Sequence, residues 1–212
     1  MGLFGGNKCV ICGKESGFFG GLVGTSLAGD GFLCSDCRDK CGPGSALDFG
    51  KMTESDVRAR METAEANKKK GAQEFRATRS FNTGRYRDTA FLSVDEDHRW
   101  FMKANDCWVY SLDDVFTFTV AVEYVKLENG QSYYLDTYEF PELPKCPDGM
   151  KINVLKMNIW LAENDLGADR VELDLLPSFF PDEGDVRGGY ACAHEFFEFM
   201  RSYCAARKQG RT

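Results

Sequence analysis

Hydrophobic positions change rhythm along this chain. Beyond residue 88 they alternate: Phe116, Phe118, Val120, Val122 and Tyr124 take every second position, and so do Leu155, Met157, Ile159 and Leu161. That is the period of a strand with one face buried. Seven strands are predicted, over about 89–94, 98–103, 107–110, 115–126, 131–140, 150–161 and 170–176. Turn chemistry separates them at Asp95-Glu96-Asp97, Glu128-Asn129-Gly130, Pro147-Asp148-Gly149 and Asn164-Asp165-Leu166-Gly167. After Pro177 and the loop Pro181-Asp182-Glu183-Gly184-Asp185, a helical period runs through Tyr190, Ala193, Phe197, Met200 and Cys204, widened by Phe196 and Tyr203. A helix over about 190–206 that lies across a core and buries Phe196, Phe197, Met200 and Tyr203 or Cys204 is expected. Further upstream, Thr53 and Asp56 have the spacing of a capping box, with Asp in place of Glu, and open a helix over about 54–74. Its apolar stripe of Val57, Met61 and Ala64 is narrow, so this helix bridges two domains or rests on one.

Residues 1–50 show neither rhythm. They are glycine-rich and hold five of the nine cysteines. Cys9-Val10-Ile11-Cys12 and Cys34-Ser35-Asp36-Cys37 are Cys-x2-Cys pairs separated by 21 residues, close to the spacing of four-cysteine zinc sites. Each such turn aims two thiolates at one point, and Gly13 permits the tight backbone after the first. Two turns complete a tetrahedron with no position left for water, so one structural zinc ion is the expected cofactor. Cys41, four residues past Cys37, is an alternative ligand if the second turn is helical. Asp30-Gly31 marks a hairpin between the pairs, and the second pair opens a short helix ending at Gly42-Pro43-Gly44, the plan of a zinc ribbon or treble clef.

Charge divides the chain the same way. Residues 1–50 carry four basic against five acidic side chains, residues 51–87 ten against five, and residues 88–212 twelve against twenty-three. Three segments follow: a four-cysteine zinc-binding module (1–50), a basic linker helix and connector (51–87), and a β domain with a C-terminal helix (88–212). The net charge of -7 and pI near 5.0 exclude wholesale attraction to nucleic acid or anionic lipid. With 43% hydrophobic and 13% aromatic residues, the chain folds into a globular protein. No apolar run reaches the roughly 18 residues of a membrane span. The start Met1-Gly2-Leu3-Phe4-Gly5-Gly6 lacks the pattern of a signal peptide and, with Gly6, that of a myristoylation site. An odd cysteine count at knuckle spacing fits metal binding in a reducing compartment, so a cytoplasmic protein is expected.

The pattern Cys9-x2-Cys12-Gly13, then Leu27-x-Gly29-Asp30-Gly31-x-Leu33-Cys34-x2-Cys37, resembles the N-terminal zinc module called domain of unknown function 4428, found mainly in bacterial proteins. In such proteins the module is followed by a charged helix and a small β domain similar to pleckstrin-homology-like folds. The stretches Leu92-Ser93-Val94-Asp95-Glu96-Asp97-x-Arg99-Trp100 and Val109-Tyr110-Ser111-Leu112-Asp113-Asp114-Val115 continue the likeness, as does the C-terminal helix. A departure is Gly20-Gly21-Leu22-Val23-Gly24-Thr25-Ser26, which lengthens the loop between the ligand pairs. The resemblance implies an α+β chain ending in a seven-stranded antiparallel pleckstrin-homology-like β-barrel capped by a helix, and it carries no activity.

Other constellations fall short of chemistry. His194-Glu195-Phe196-Phe197-Glu198 has Glu where a zinc protease needs its second histidine. The glycine run 17–26 lacks the Gly-Lys-Ser/Thr ending that grips phosphate. No catalytic residue and no small-molecule substrate is inferred. The expected function is that of a non-enzymatic, zinc-binding interaction protein whose partners are proteins, with Phe18, Phe19, Leu22 and Val23 as an apolar partner-binding loop. The alternative is binding to nucleic acid or an anionic membrane surface through residues 68–87, with Lys68, Lys69, Lys70, Arg76 and Arg79 contacting phosphate. A hydrolase using His194 and Glu198 ranks third.

Overall fold

The computed structural model describes residues 8–15, 24–44, 47–82, 90–140, 146–176 and 183–209. The chain forms two compact units. The first comprises Met1–Glu74 with Cys107–Val109 and Glu163–Asp169; the second comprises Phe75–Asp106, Tyr110–Ala162 and Arg170–Thr212.

The first unit begins with the Cys9 turn and a small hairpin, β1 (Thr25–Ser26) with β2 (Phe32–Leu33). Gly29 and Asp30 both carry positive φ at its tip, the conformation a tight reversal requires and that Gly and Asp tolerate. Helix α1 (Ser35–Arg38) tightens into a 3-10 turn at Asp39–Cys41 and stops at Gly42, whose φ of 114° a side chain disfavours. Helix α2 (Glu54–Gln73) starts at the expected capping box: Asp56 N–H donates to Thr53 Oγ1 at 3.3 Å, and Thr53 N–H donates to the Asp56 carboxylate at 2.8 Å. Val57 joins Leu27, Phe32, Leu33 and Cys41 in one buried apolar cluster.

The buried stripe of α2 continues at helical spacing into polar residues, and these bind chain from far downstream. Asn67 donates its amide to the Val109 carbonyl at 2.8 Å and accepts the Val109 N–H at 3.0 Å. Its neighbour Lys68 places its ammonium 4.6 Å from the Trp108 ring centre. Nearer the start of the helix, Arg60 donates to the carbonyls of Cys41, at 3.0 Å, and Asp165. The second of these loops is shaped by Asn164, whose side chain accepts the N–H groups of Leu166 and Ala168 at 3.0 and 3.3 Å.

The second unit contains two four-stranded antiparallel sheets. One is a meander of β3 (Arg79–Asn82), β4 (Ala90–Asp95), β5 (Trp100–Lys103) and β6 (Tyr110–Ser111). The other holds β7 (Val115–Lys126), β8 (Ser132–Glu139), β9 (Met150–Leu161) and β10 (Arg170–Asp174) in the order β10-β9-β7-β8. Alternation explains the long strands: Val120, Val122, Leu155, Met157 and Ile159 are all buried. Helix α3 (Glu183–Gln209) lays its aromatic stripe over both sheets. The Phe196 ring meets Phe81 at 5.1 Å and Phe118 at 5.9 Å, each edge to face, while Phe197 meets Phe118 at 5.6 Å and Phe140 at 5.1 Å. Phe196 and Met200 are buried and Phe197 and Tyr203 half-buried; the Cys204 side chain lies outside the described residues. No helix among the described residues is long and apolar enough to cross a membrane.

At the β4–β5 turn the motif at 92–100 proves to be turn architecture. The buried Asp95 carboxylate accepts the N–H groups of Arg76 at 2.8 Å and His98 at 3.1 Å, and the His98 Nδ1 lies 2.9 Å away. Arg99, at φ 62°, closes the reversal.

The α+β class and the antiparallel sheets stand, but the closed seven-stranded barrel does not. Eight strands form two sheets, and among the described residues no strand pairing joins one to the other. Two physical features account for this. A 3-10 turn at Leu112–Asp114 redirects the chain between β6, only two residues long, and β7, so no ladder runs through that corner. Strand β7 then pairs with both β8 and β9, leaving β8 and β10 as the edges of its sheet. The eighth strand is β3, whose Arg-Ser-Phe-Asn sequence buries only Phe81.

Candidate metal centre

Two backbone turns bring the four cysteines together. In the first, Cys9 N–H donates to the Lys14 carbonyl at 3.0 Å and Gly13 N–H returns to the Cys9 carbonyl at 2.8 Å, a reversal that needs the φ of 72° at Gly13. Val10 N–H donates to the Phe32 carbonyl at 3.0 Å, which fixes this turn to β2. In the second, Cys34 caps α1, and the N–H groups of Cys37 and Arg38 donate to its carbonyl at 3.1 and 2.9 Å. The sulfurs of Cys9, Cys12, Cys34 and Cys37 all lie within 4.8 Å of one another, and those of Cys12 and Cys34 are 3.7 Å apart. A tetrahedron of zinc–sulfur bonds of about 2.3 Å has edges of roughly 3.8 Å, so the donor set fits such an ion.

The cluster is unevenly covered. Cys9 and Cys37 are 1% and 2% exposed, whereas Cys12 is exposed and Cys34 half-buried. Burial works against ionisation at Cys9, yet the N–H groups of Cys34, Cys12 and Ile11 converge on its sulfur and hold the thiol down at about 6. Burial pushes the thiols of Cys34 and Cys37 up. A bound cation would supply the charge that lets all four ionise. At the rim Lys14 forms a 2.8 Å ion pair with Asp36, tying one turn to the other. Helix α2 braces both turns, Arg58 through the Val10 carbonyl at 3.4 Å and Arg60 through the Cys41 carbonyl.

Cys41, the alternative ligand, stands outside the cluster. The turn is helical, but its buried sulfur donates to the Cys37 carbonyl at 3.4 Å and burial pushes its thiol up. Phe18, Phe19, Leu22 and Val23 lie outside the described residues, as do Arg85 and Arg87. The other basic positions are divided between the units. Lys68 covers Trp108, Lys69 lies 3.8 Å from Glu65, and Lys70 is half-buried on the same helix. In the second unit, Arg76 donates to the Phe75 carbonyl at 2.8 Å, and Arg79 sits over the Phe199 ring and 3.8 Å from Glu96. His194 packs among Phe140, Tyr190 and Phe197. The supporting residues Lys14, Asp36, Arg58 and Arg60 were not singled out from sequence. Arg60 carried a usable signal, a polar residue three positions after Val57 on a buried stripe. Compared with protein families, with curated proteins and with solved structures, the chain matches none.

Proposed function

We propose that this chain is a non-enzymatic interaction protein whose first unit is a treble-clef-like module organised by one structural zinc ion, held by Cys9, Cys12, Cys34 and Cys37. The observation that carries the reading is the convergence of four sulfurs within 4.8 Å on two rigid turns. Four thiolates around zinc leave no position for a water or a substrate, so the ion stabilises and does not catalyse. A module this small and glycine-rich has little core of its own, and metal binding is then folding energy. The order of turn, hairpin and short helix supports the treble-clef comparison. The helix laid across two antiparallel sheets supports the likeness of the second unit to pleckstrin-homology-like domains, and both likenesses favour a function exercised on surfaces that bind other proteins.

The test is elemental analysis of the reduced protein together with thiol titration. One zinc per chain is expected, lost in a Cys9→Ser, Cys37→Ser double variant and kept in Cys41→Ser. A chelator should abolish the structure of the first unit and leave the near-ultraviolet circular dichroism of the second. Absence of metal, or retention in the double variant, would refute the reading.

A further inference from the structure

The cysteine cluster has an open side. We propose that Cys12 and Cys34 form a peroxide-responsive pair, at which a hydroperoxide converts the zinc-loaded protein into a zinc-free form bridged by a Cys12–Cys34 disulfide. This inference rests on the zinc reading above and adds a chemical response to it.

Two features favour this pair. The first is access: Cys12 is exposed and Cys34 half-buried, while Cys9 and Cys37 are enclosed by the apolar cluster beneath them. Reactive cysteines are at least partly exposed. The second is distance. The two sulfurs stand 3.7 Å apart although their residues are 22 positions apart in sequence, so a short inward movement closes a bond across the two turns. Within the first turn the competing pair is disfavoured, because Cys9 is buried. Cys41 and Cys192 are buried, and Cys146 donates its thiol hydrogen to the Met150 carbonyl at 3.2 Å.

The chemistry balances as follows. The Cys12 sulfur attacks the outer oxygen of the hydroperoxide; an S–O bond forms while the O–O bond breaks, and the departing alkoxide takes a proton from water. The Cys34 sulfur then attacks the resulting sulfenic acid, the S–S bond forms, and hydroxide leaves and is protonated. Two thiolates, one hydroperoxide and two protons give one disulfide, one alcohol and one water; the sulfurs are oxidised by two electrons and the peroxide is reduced by two. Loss of two of four donors releases the ion, and thiol reductant reverses the bridge.

The experiment uses the full chain, reduced, with its zinc content measured first. One equivalent of hydrogen peroxide is added, released zinc is followed with a chromogenic chelator, and remaining thiols are alkylated before peptide mapping. One zinc released per disulfide is expected, with the Cys12–Cys34 peptide as the main product and reloading after reductant and zinc. A main product joining Cys9 to Cys12, Cys34 to Cys37, or either exposed cysteine Cys107 or Cys146 overturns the proposal, and so does oxidation with zinc retained. A reduced protein that holds no zinc at the outset overturns the zinc reading and this proposal together, whereas zinc present beforehand with a different bridge afterwards overturns this proposal alone.

Discussion

Replacing Phe196 by Ala should cost the second unit about 3–5 kcal/mol, the range for truncating a buried Phe. The upper half of that range is expected. Phe196 is 0% exposed, and its ring stands edge-on to Phe81 of β3 and Phe118 of β7, one from each sheet, with Phe101 at 6.4 Å. Each such edge-to-face pair contributes about 0.5–1.5 kcal/mol beyond the area it buries. The backbone of two sheets cannot collapse into the space left by one ring, so the void persists. For a chain of this length a loss of 3–5 kcal/mol lowers the melting temperature by roughly 6–20 °C. Urea titration, with near-ultraviolet circular dichroism and hydrogen exchange of β4 and β9 as readouts, gives the magnitude. Phe197→Ala is the control, since that ring is only half-buried and touches Phe118 and Phe140 at the margin; about 1.5–3 kcal/mol is expected for it. A Phe196→Ala loss below about 1 kcal/mol, or one no larger than that of Phe197→Ala, would show that α3 is an appendage and not part of the core.

Two other perturbations probe the polar clamps. Burial pushes the Asp95 carboxyl up, but the N–H groups of Arg76 and His98 and the His98 ring outweigh it and hold the group below the usual carboxylate range. Its folded-state pKa is thus depressed, so its stabilisation is complete above the ordinary value of about 3.9 and is lost as pH falls through the lower folded value. Asp95→Asn should flatten the acid limb of a stability-against-pH curve below about pH 4 and cost about 1–3 kcal/mol at neutral pH; an unchanged acid limb would contradict it. Asn67→Ala strands both Val109 backbone groups and should destabilise the first unit by about 1–3 kcal/mol, read as faster exchange of the Val109 amide, whereas Asn67→Asp should keep only the acceptor half of the effect.

Several elements could be read from the sequence because one physical rule decided them. The capping box fixed the start of α2 at Glu54, and alternation marked β7 at Val115–Lys126 and β9 at Met150–Leu161, although in β9 its phase shifts between Val154 and Leu155. The cysteine spacing selected the four sulfurs that converge and left Cys41 as a minor option. Where tertiary context decided, the sequence was silent or misleading. In β3 the alternation contains a single buried ring, and its arginine reads as connector. Helix α3 begins at Glu183, seven residues before its apolar stripe; Glu183 and Asp185 suit a helix's first turn, and Asp185 is buried there although the stretch shows no apolar period. Strand order lies beyond periodicity altogether, since the pattern of β7 says that one face is buried and nothing about which neighbours flank it. The clamps of Arg60 and Asn67 depend on segments 105 and 42 positions away, although both residues sit where a helical stripe should have been apolar.

The assembly of the first unit from three separated stretches has a consequence for its birth on the ribosome. All four clustered cysteines and α2 are made early, but Asp165 and its loop follow Gln73 by roughly 90 residues, an interval of about 5–20 s at ordinary elongation rates. Throughout that interval Arg60 presents a guanidinium that awaits the Asp165 carbonyl, whereas Asn67 waits a shorter time, since Val109 follows Gln73 by roughly 35 residues. The four cysteines can gather first while the last pieces of the unit arrive. A fragment ending before Cys107 would preserve that waiting state, with all four cysteines of the cluster present and the outer face of α2 still wet.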